Sequence, residues 1–325
     1  MYEEQLEGEY AKVAKVQEKE QDELLAKENV VGVGVGHKIS GGQDTGDTSL
    51  TVFVEQKMDP AMLGKDDLIP AEVGKFKTDV VESGIIFAGG ASAAPVTQEG
   101  VGIETLKWRV RPVEGGYSVA HEKVTAGTYA TAVTDRSPYP GIPRRYYVLS
   151  NNHVLANSNN ANIGDPILQP GPFDGGTFPQ DMIARLSRFV PIKFNDNTAC
   201  NYVDAAIAEG PFQFLDREIY WIGYVKGVRN AQVNMIVQKT GRTTNYTTGR
   251  VTAINGTFVV NYGGGRWARF CRQIVTSNMS AGGDSGSLLC DLKENAVGLL
   301  FAGSNTLTLH NHIGFVQGLL GIRVV

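Results

Sequence analysis

Apolar side chains near the start of the chain recur with the period of a helix. Residues 3–27 are rich in Glu, Lys, Gln and Ala and contain no proline, a composition that favours helix. Five apolar residues fall roughly on one helical face: Leu6, Tyr10, Val13, Leu24 and Leu25. The stripe lapses across residues 18–23. We therefore predict an N-terminal helix over residues 1–28 that docks on another surface or forms an oligomer, instead of a self-contained coiled coil.

A different pattern begins after residue 28, where short apolar runs alternate with turn-forming residues. VVGVGVGHK (30–38) and SLTVFVEQK (49–57) predict two strands joined by SGGQDTGDT, and residues 65–84 predict a connector and one more strand. Together they predict a small α/β module of unknown role over residues 29–92. The run GVGVGHK lacks the third glycine of G-x-G-x-x-G and no helix pattern follows, so a strand is favoured over a nucleotide-binding loop.

Beyond the small residues AGGASAAP at 88–95, the chain is a succession of short β-like runs separated by turns. Typical runs are TYATAVTD, RYYVLSNNHVL, NYVDAAIAEG, TTGRVTAI and AVGLLFAG. Two long loops rich in Pro, Gly and Asn, at 137–145 and 156–176, interrupt them, and on a β scaffold such loops commonly shape binding clefts. The pattern predicts a mainly β fold of sandwiches or barrels.

Charge and composition narrow the partners and the compartment. The 325 residues include 30 Lys and Arg against 34 Asp and Glu, a net charge of −4 that calls for neither a nucleic acid nor an anionic membrane. No apolar run approaches the roughly 18 residues of a membrane span. The first residues, MYEEQLEGEY, are acidic where a secretory signal needs basic and apolar runs. Cys200, Cys271 and Cys290 are too few for a disulfide framework, which predicts core thiols in a reducing cytoplasm.

Three residues offer the chemistry of a hydrolase. Ser285 lies in AGGDSGSLL, where flanking glycines allow a sharp turn that aims backbone N–H groups at one point. His153 ends the apolar run YYVLSNNHVLA, and Asp204 opens VDAAIA. A serine hydroxyl is a weak nucleophile that needs an adjacent base, a group that orients the base, and donors for the oxyanion. Singly, these residues suggest a turn, a satisfied core histidine and a cap. Together, in the order His, Asp, Ser, they favour catalysis.

The motifs LSNNHVLA, VDAAIA and GGDSGSLL resemble those of the chymotrypsin-like (trypsin-like) serine peptidases, over roughly residues 95–325. QKTGRTTNYTTGRVTA is similar to a segment of the bacterial branch of that family, typified by alpha-lytic protease. The resemblance implies two antiparallel six-stranded-type β-barrels, one over 93–212 with His153 and Asp204 and one over 213–325 with Ser285. The active-site cleft would lie between them.

The resemblance also implies the role of each residue. Ser285 would be the nucleophile, and His153 the base that takes its proton and returns it to the leaving amine. Asp204 would hold the histidine tautomer, and the backbone N–H groups of Gly283 and Ser285 would form the oxyanion hole. The implied activity is that of a serine endopeptidase acting on protein or peptide substrates through an acyl-enzyme, with no cofactor and no metal.

Two positions depart from the animal members of the family. Those members pair the aspartate before the nucleophile, here Asp284, with a freshly cut N-terminus, whereas the bacterial branch uses an internal basic residue, here Lys239. This implies an ion pair and an enzyme that is competent without cleavage; the alternative is a solvated strand lysine.

The second departure concerns the specificity pocket, which would be lined by Met279, Ser280, Ala302, Gly303 and Ser304. A preference for Arg or Lys would need a carboxylate where Met279 stands. A pocket of these residues suits a small or medium apolar side chain.

Other functions stay open at this point. His310 and His312 lie two apart in LHNHIG and could bind a metal only with a third ligand, so structural roles are favoured. The protein could instead be a binding scaffold with a latent site, or an esterase using the same triad. Residues 1–90 could restrict access, form a homo-oligomer or bind a regulatory partner.

Overall fold

The computed structural model describes residues 6–89, 106–136 and 144–324. Its helices are α1 Gly8–Ala26, α2 Asn152–Leu155 and α3 Ile313–Leu320. Its strands are β1 Val30–Ser40, β2 Gln43–Val54, β3 Glu72–Val73, β4 Phe76–Glu82, β5 Phe87–Ala88, β6 Val113–Gly115, β7 Ser118–His121, β8 Gly127–Thr128, β9 Ala132–Asp135, β10 Tyr146–Ser150, β11 Pro166–Leu168, β12 Met182–Phe189, β13 Ala206–Gly210, β14 Leu215–Ile219, β15 Gly223–Tyr224, β16 Gly227–Val228, β17 Ile236–Gly241, β18 Asn245–Gly263, β19 Arg266–Ser277, β20 Leu288–Asp291, β21 Asn295–Gly303, β22 Leu307–His312 and β23 Ile322–Arg323. The predicted mainly β fold with an N-terminal helix is confirmed.

The C-terminal half closes into a six-stranded barrel within the described part of the chain. Its strands follow the order β17, β20, β21, β22, β19 and β18, and β18 pairs back with β17. Neighbouring strands in this ring are antiparallel. Closure leaves no free edge around the ring, which is how small β proteins satisfy every strand's backbone groups.

The other barrel has the order β9, β10, β13, β12, β11, β7 and β8, with β23 added beyond β9. Only residues 129–131 separate β8 from β9, so one interrupted strand begins and ends the sheet. His153 follows β10 on the short helix α2, and Asp204 precedes β13, the strand that pairs with β10. Strand pairing therefore brings the ends that carry these two residues together. Part of the barrel's predicted span, residues 93–105, lies outside the described residues, as do residues 137–143 of the first predicted loop.

The region predicted as a separate module over 29–92 extends the second barrel's sheet. β1 pairs antiparallel with β18, β2 pairs with β1, and β4 runs parallel to β2. Helix α1 packs on this extension through buried Val13 and Leu24. The N-terminal region is thus joined to the second barrel through a continuous sheet, and the predicted boundary at residues 92 and 93 lies outside the described residues.

The end of the described chain ties the two barrels together. Helix α3 follows β22 of the second barrel and buries Ile313, Phe315 and Val316 in a core shared with the first barrel. Strand β23 then pairs with β9 of the first barrel. Apolar burial and main-chain pairing both hold the barrels together at this interface.

The cysteine prediction is wrong for two of the three residues. Cys200 and Cys271 form a disulfide with their Cα atoms 5.6 Å apart, whereas Cys290 is a buried free thiol as predicted. The two partners come from different elements, the segment before Asp204 and strand β19. Their proximity could not be read from a spacing of 71 residues. Among the described residues, no helix is both long enough and apolar enough to cross a membrane.

Candidate active site

Ser285 lies in a tight turn between β19 and β20. The N–H of Asp284 donates to Ala281 O at 3.1 Å, and the N–H of Ser287 donates to Asp284 O at 3.0 Å. Gly286 sits at φ +98° against the first barrel, where an added Cβ would lie 2.2 Å from Thr128 O. Glycine is required here both for the left-handed backbone and for the close approach.

The turn leaves two backbone donors unused. The carbonyl of Gly282 accepts from Thr243 Oγ1 at 2.7 Å, and the carbonyl of Asp284 accepts from Ser287. In a trans peptide the N–H points opposite to the C=O, so the N–H groups of Gly283 and Ser285 face away from these anchors. Neither donates to an acceptor among the described residues. These are the two donors predicted for an oxyanion.

Asp204 and His153 are in direct contact. The Nδ1 of His153 and the Oδ2 of Asp204 are 2.6 Å apart, and the backbone N–H of His153 donates to Oδ1 at 3.0 Å. The Asp204 side chain is fully buried. A buried carboxylate that accepts from Nδ1 orients the ring and leaves Nε2 free to accept a proton.

Sequence reasoning missed Tyr262 as a third group on this carboxylate. Its hydroxyl donates to Asp204 Oδ2 at 2.7 Å. Burial, reinforced by the negative charge of Asp204, raises the pKa of Tyr262 well above its ordinary value, so the hydroxyl stays a donor. Tyr262 lies 58 residues from Asp204 in the chain, and none of the motifs that carry the resemblance includes it.

One side-chain atom of His153 and one of Ser285 are unpaired. His153 Nε2 and Ser285 Oγ are both buried, and neither has a hydrogen-bond partner among the described residues. The structure therefore shows the histidine–aspartate bond but no serine–histidine bond. Buried polar atoms are nearly always paired, so each of these two unpaired atoms is available to a reacting group or to water.

Asp284 and Lys239 form a buried ion pair at 3.2 Å, with both side chains fully buried. The carboxylate also accepts from the N–H groups of Thr243 and Ala281, at 2.8 and 3.0 Å. Burial lowers the pKa of Lys239, and the charge of Asp284 opposes that shift. These bonds tie the Ser285 turn to the GRTT segment and hold its shape.

The residues predicted for the specificity pocket are partly brought together. Ser280 Oγ lies 2.8 Å from Thr308 Oγ1, and a Cβ added at Gly303 would be 3.6 Å from the same Ser280 oxygen. Ser304 Oγ accepts from the N–H of Thr306 at 3.2 Å. Met279, in contrast, is buried in a core cluster with barrel residues.

His310 and His312 are buried in structural positions. His310 Nε2 lies 3.0 Å from Thr276 Oγ1, and His312 Nδ1 accepts from the N–H of Gly314 at the start of α3. Between them, Asn311 Oδ1 accepts from the N–H of Asp204 at 2.9 Å. No group of three or more His, Cys, Asp or Glu side chains in the described ranges is arranged to hold a metal ion.

Known proteins with related sequences agree with this architecture. Glutamyl endopeptidase 2 of Streptomyces griseus is 30% identical over 181 residues, which are 55% of this chain and 78% of that protein. The chain belongs to the chymotrypsin-like serine peptidases. It is therefore a serine endopeptidase, a hydrolase of peptide bonds. The model of peptidase family S64 also matches this peptidase, over residues 167–317.

Solved structures of similar proteins include Thermobifida fusca protease A, with a TM-score of 0.46 and 14% identity over 65% of this peptidase and 97% of that chain. Another is a glutamic-acid-specific serine protease described as using a histidine triad in substrate binding. It has a TM-score of 0.45 and 20% identity, and it covers 65% of this peptidase and 98% of that chain.

Proposed function

We propose that this peptidase cleaves peptide bonds with Ser285 as nucleophile, His153 as general base and acid, and Asp204 as the group that orients the histidine. The observation that carries the proposal is the 2.6 Å bond from His153 to Asp204, together with the buried and unpaired His153 Nε2 and Ser285 Oγ. One tautomer of the histidine is enforced and its basic nitrogen is kept available. A scaffold used for binding alone has no chemical need of that arrangement.

The reaction follows from these groups. Ser285 Oγ attacks the carbonyl carbon of the substrate while His153 Nε2 takes the hydroxyl proton. Collapse of the tetrahedral intermediate breaks the C–N bond, and the imidazolium returns the proton to the leaving amine. Water then attacks the acyl-enzyme with the same histidine as base, which releases the carboxylic acid and restores the serine.

The free N–H groups of Gly283 and Ser285 would stabilise the oxyanion of both intermediates. Their carbonyl neighbours are anchored on the opposite side, so the donors are aimed before substrate binds. Loss of one such donor typically costs about 10²–10³ in rate.

We also propose that Lys239 supplies internally the positive charge that holds Asp284, so the turn is competent without cleavage of the chain. The fully buried pair at 3.2 Å supports this. Regulation would then fall to the N-terminal region, and no cofactor or metal takes part.

For specificity, we propose a small or medium apolar side chain before the scissile bond. The pocket residues Ser280, Ala302, Gly303 and Ser304 carry no charge that would pair with an ionic substrate. Glutamate is the second candidate, because the Streptomyces griseus relative is a glutamyl endopeptidase and the Ser280–Thr308 hydroxyl pair could donate to a carboxylate.

A fluorophosphonate label followed by intact-mass spectrometry tests the catalytic assignment. Wild type should gain one label, Ser285→Ala should gain none, and the labelled species should have the full-length mass. Absence of label on folded wild type would favour the scaffold alternative, and labelling of a shortened chain alone would contradict competence without cleavage.

Substrate comparison tests the remaining alternatives. Peptides that differ only in Ala, Leu, Glu or Lys before the scissile bond should be cleaved fastest at Ala or Leu. Fastest cleavage at Glu would assign the second specificity, and hydrolysis confined to simple esters would assign an esterase.

The cytoplasmic location stays a prediction, and the cysteines no longer support it, because two of the three are bonded to each other. The Cys200–Cys271 disulfide is typical of oxidising compartments, such as the cell exterior. Titration of free thiols in protein taken directly from its producing cells tests this. One free thiol per chain would argue against the cytoplasm, and three would support it.

A further inference from the structure

The short strand β5 pairs with β21, the strand that follows β20 and runs back towards the Ser285 turn. Ala88 pairs antiparallel with Ala302, and Phe87 with Gly303. The N–H of Gly89 donates to Phe301 O at 3.0 Å. Three consecutive residues of the N-terminal region thus cover one edge of β21.

That edge is continuous with the Ser285 turn. Further back along β21, the N–H of Gly286 donates to Leu300 O at 2.8 Å and the N–H of Leu300 donates to Ser287 O at 3.0 Å. Because β5 runs antiparallel to β21, its residues advance from Gly303 towards Leu300. The described part of the segment therefore runs along β21 in the direction of the Ser285 turn.

The opposite side of the segment approaches the histidine–aspartate pair. The N–H of Asn261 donates to Ile86 O at 2.8 Å, and the next residue, Tyr262, donates to Asp204. Ile86 is anchored in a core cluster with Phe53 and Phe301 and is 1% exposed. The segment is thus held between the strand next to the serine and the strand of Tyr262.

An extended peptide binds a sheet by adding a strand to an exposed edge, with main-chain bonds giving affinity and pockets for alternate side chains giving specificity. We propose, resting on the proposed function, that residues 85–89 occupy the edge on which substrate must pair and hold the peptidase in a self-inhibited state. Substrate binding requires this segment to leave β21.

Gly89 explains why the segment inhibits instead of being cut. Its φ of +82° takes the backbone out of the extended conformation at the residue that donates to Phe301 O, and L side chains rarely adopt such a φ. It also presents no side chain to a pocket. The segment thus has the main-chain contacts of a bound peptide without the group that the specificity pocket would bind.

Gly89→Pro tests the proposal, because proline removes the N–H that donates to Phe301 and cannot adopt positive φ. The matched control is Gly8→Pro, at φ +59° with nothing within 4 Å of an added Cβ, at the exposed start of α1. With an extended fluorogenic peptide, kcat/KM of Gly89→Pro should rise at least about tenfold through a lower KM. The control should match wild type.

Fluorophosphonate labelling of the same samples distinguishes failure of self-inhibition from failure of the proposed function. The small reagent needs a reactive Ser285 but does not need to pair with a strand. Normal labelling with unchanged peptide hydrolysis in Gly89→Pro overturns self-inhibition. No labelling of any folded variant overturns the proposed function instead.

Two further measurements guard against misfolding. If Gly89→Pro does not fold, Phe87→Pro interrupts the same pairing and should give the same rise in kcat/KM. The blocked hexapeptide GIIFAG, which has the sequence of residues 84–89, should also inhibit the activated variant competitively. A hexapeptide that does not inhibit at millimolar concentration contradicts the proposal.

Discussion

Two carboxylates, Asp204 and Asp284, organise the candidate active site, and each accepts from different donors. Asp204 accepts from an imidazole, a backbone N–H and the Tyr262 hydroxyl, whereas Asp284 accepts from an ammonium and backbone N–H groups. A buried carboxylate needs such donors because the charge is otherwise expensive to desolvate. The Asp204 donors leave a proton acceptor on His153, and the Asp284 donors set the shape of a turn. In the proposed mechanism, an aspartate thus supports the chemistry at residue 204 and the shape of the turn at residue 284.

Tyr262→Phe removes one donor from Asp204 and leaves the ring packing in place. We expect kcat/KM to fall about threefold to tenfold, the equivalent of one hydrogen bond to a charged group. Steady-state kinetics with a peptide substrate measures the change.

The control for that change is Tyr246→Phe, which removes a hydroxyl that donates to Gln238 Oε1 at 2.9 Å and does not contact His153, Asp204 or Ser285. Its kcat/KM should match wild type. An unchanged kcat/KM in Tyr262→Phe would mean that the tyrosine acts only in packing.

Strand β18 has 19 residues, and successive parts of it contact different neighbours. Its first part closes the second barrel against β17, its middle pairs with β1, and its end carries Tyr262 to Asp204. Register shifts in its pairing with β19 bend the strand, so that one strand can reach all of these partners. The N-terminal extension, the second barrel and the histidine–aspartate pair are thereby coupled through one strand.

The Cys200–Cys271 disulfide also joins two elements, because it links the segment before Asp204 to β19. Replacing both Cys200 and Cys271 with serine should lower the free energy of unfolding by about 4 kcal/mol, the value expected for a closed loop of this length. Urea unfolding measures the change.

A reductant should destabilise the wild type to a similar extent and leave the double variant unaffected, because Cys290 is already a free thiol. Equal stability of the oxidised wild type and the double variant would show that the bond contributes nothing to folding.

At the scale of the whole molecule, two buried histidines make stability depend on acid. Burial lowers the pKa of His310 to about 3, with a contribution from the charge of Lys239, and lowers the pKa of His312 to about 4. Both values lie below the ordinary value of about 6.5. The unfolded chain therefore binds protons from pH 6.5 downward that the folded chain refuses, and stability present above pH 6.5 is lost as the pH falls towards 4 and 3.

Urea unfolding between pH 7.5 and 4.5 should show this loss, at up to about 1.4 kcal/mol per pH unit for each histidine. In His312→Asn the amide oxygen can still accept from the N–H of Gly314, so the free energy of unfolding at pH 7.5 should change little. Its dependence on pH should become shallower, because one titrating group is removed. His37→Asn, on the N-terminal extension, is the control variant, and the pH dependence of its free energy of unfolding is compared with that of His312→Asn. An unchanged slope in His312→Asn would remove His312 from the acid response.

Local pattern alone predicted much of the peptidase. Alternating apolar runs, glycine turns and the three short motifs around residues 153, 204 and 285 were enough for the β fold and the candidate triad, because each depends on a few adjacent residues. The resemblance also placed Lys239 with Asp284, since both lie in recognisable segments.

Tertiary structure decided the remainder. The Cys200–Cys271 bond, the Tyr262 hydroxyl on Asp204 and the pairing of Phe87–Ala88 with β21 join residues 58 to more than 200 positions apart. Such contacts depend on how strands are ordered and twisted in two closed barrels, and no local periodicity encodes that order. The sequence by itself determined which chemical groups the protein has, and the fold determined which of them meet.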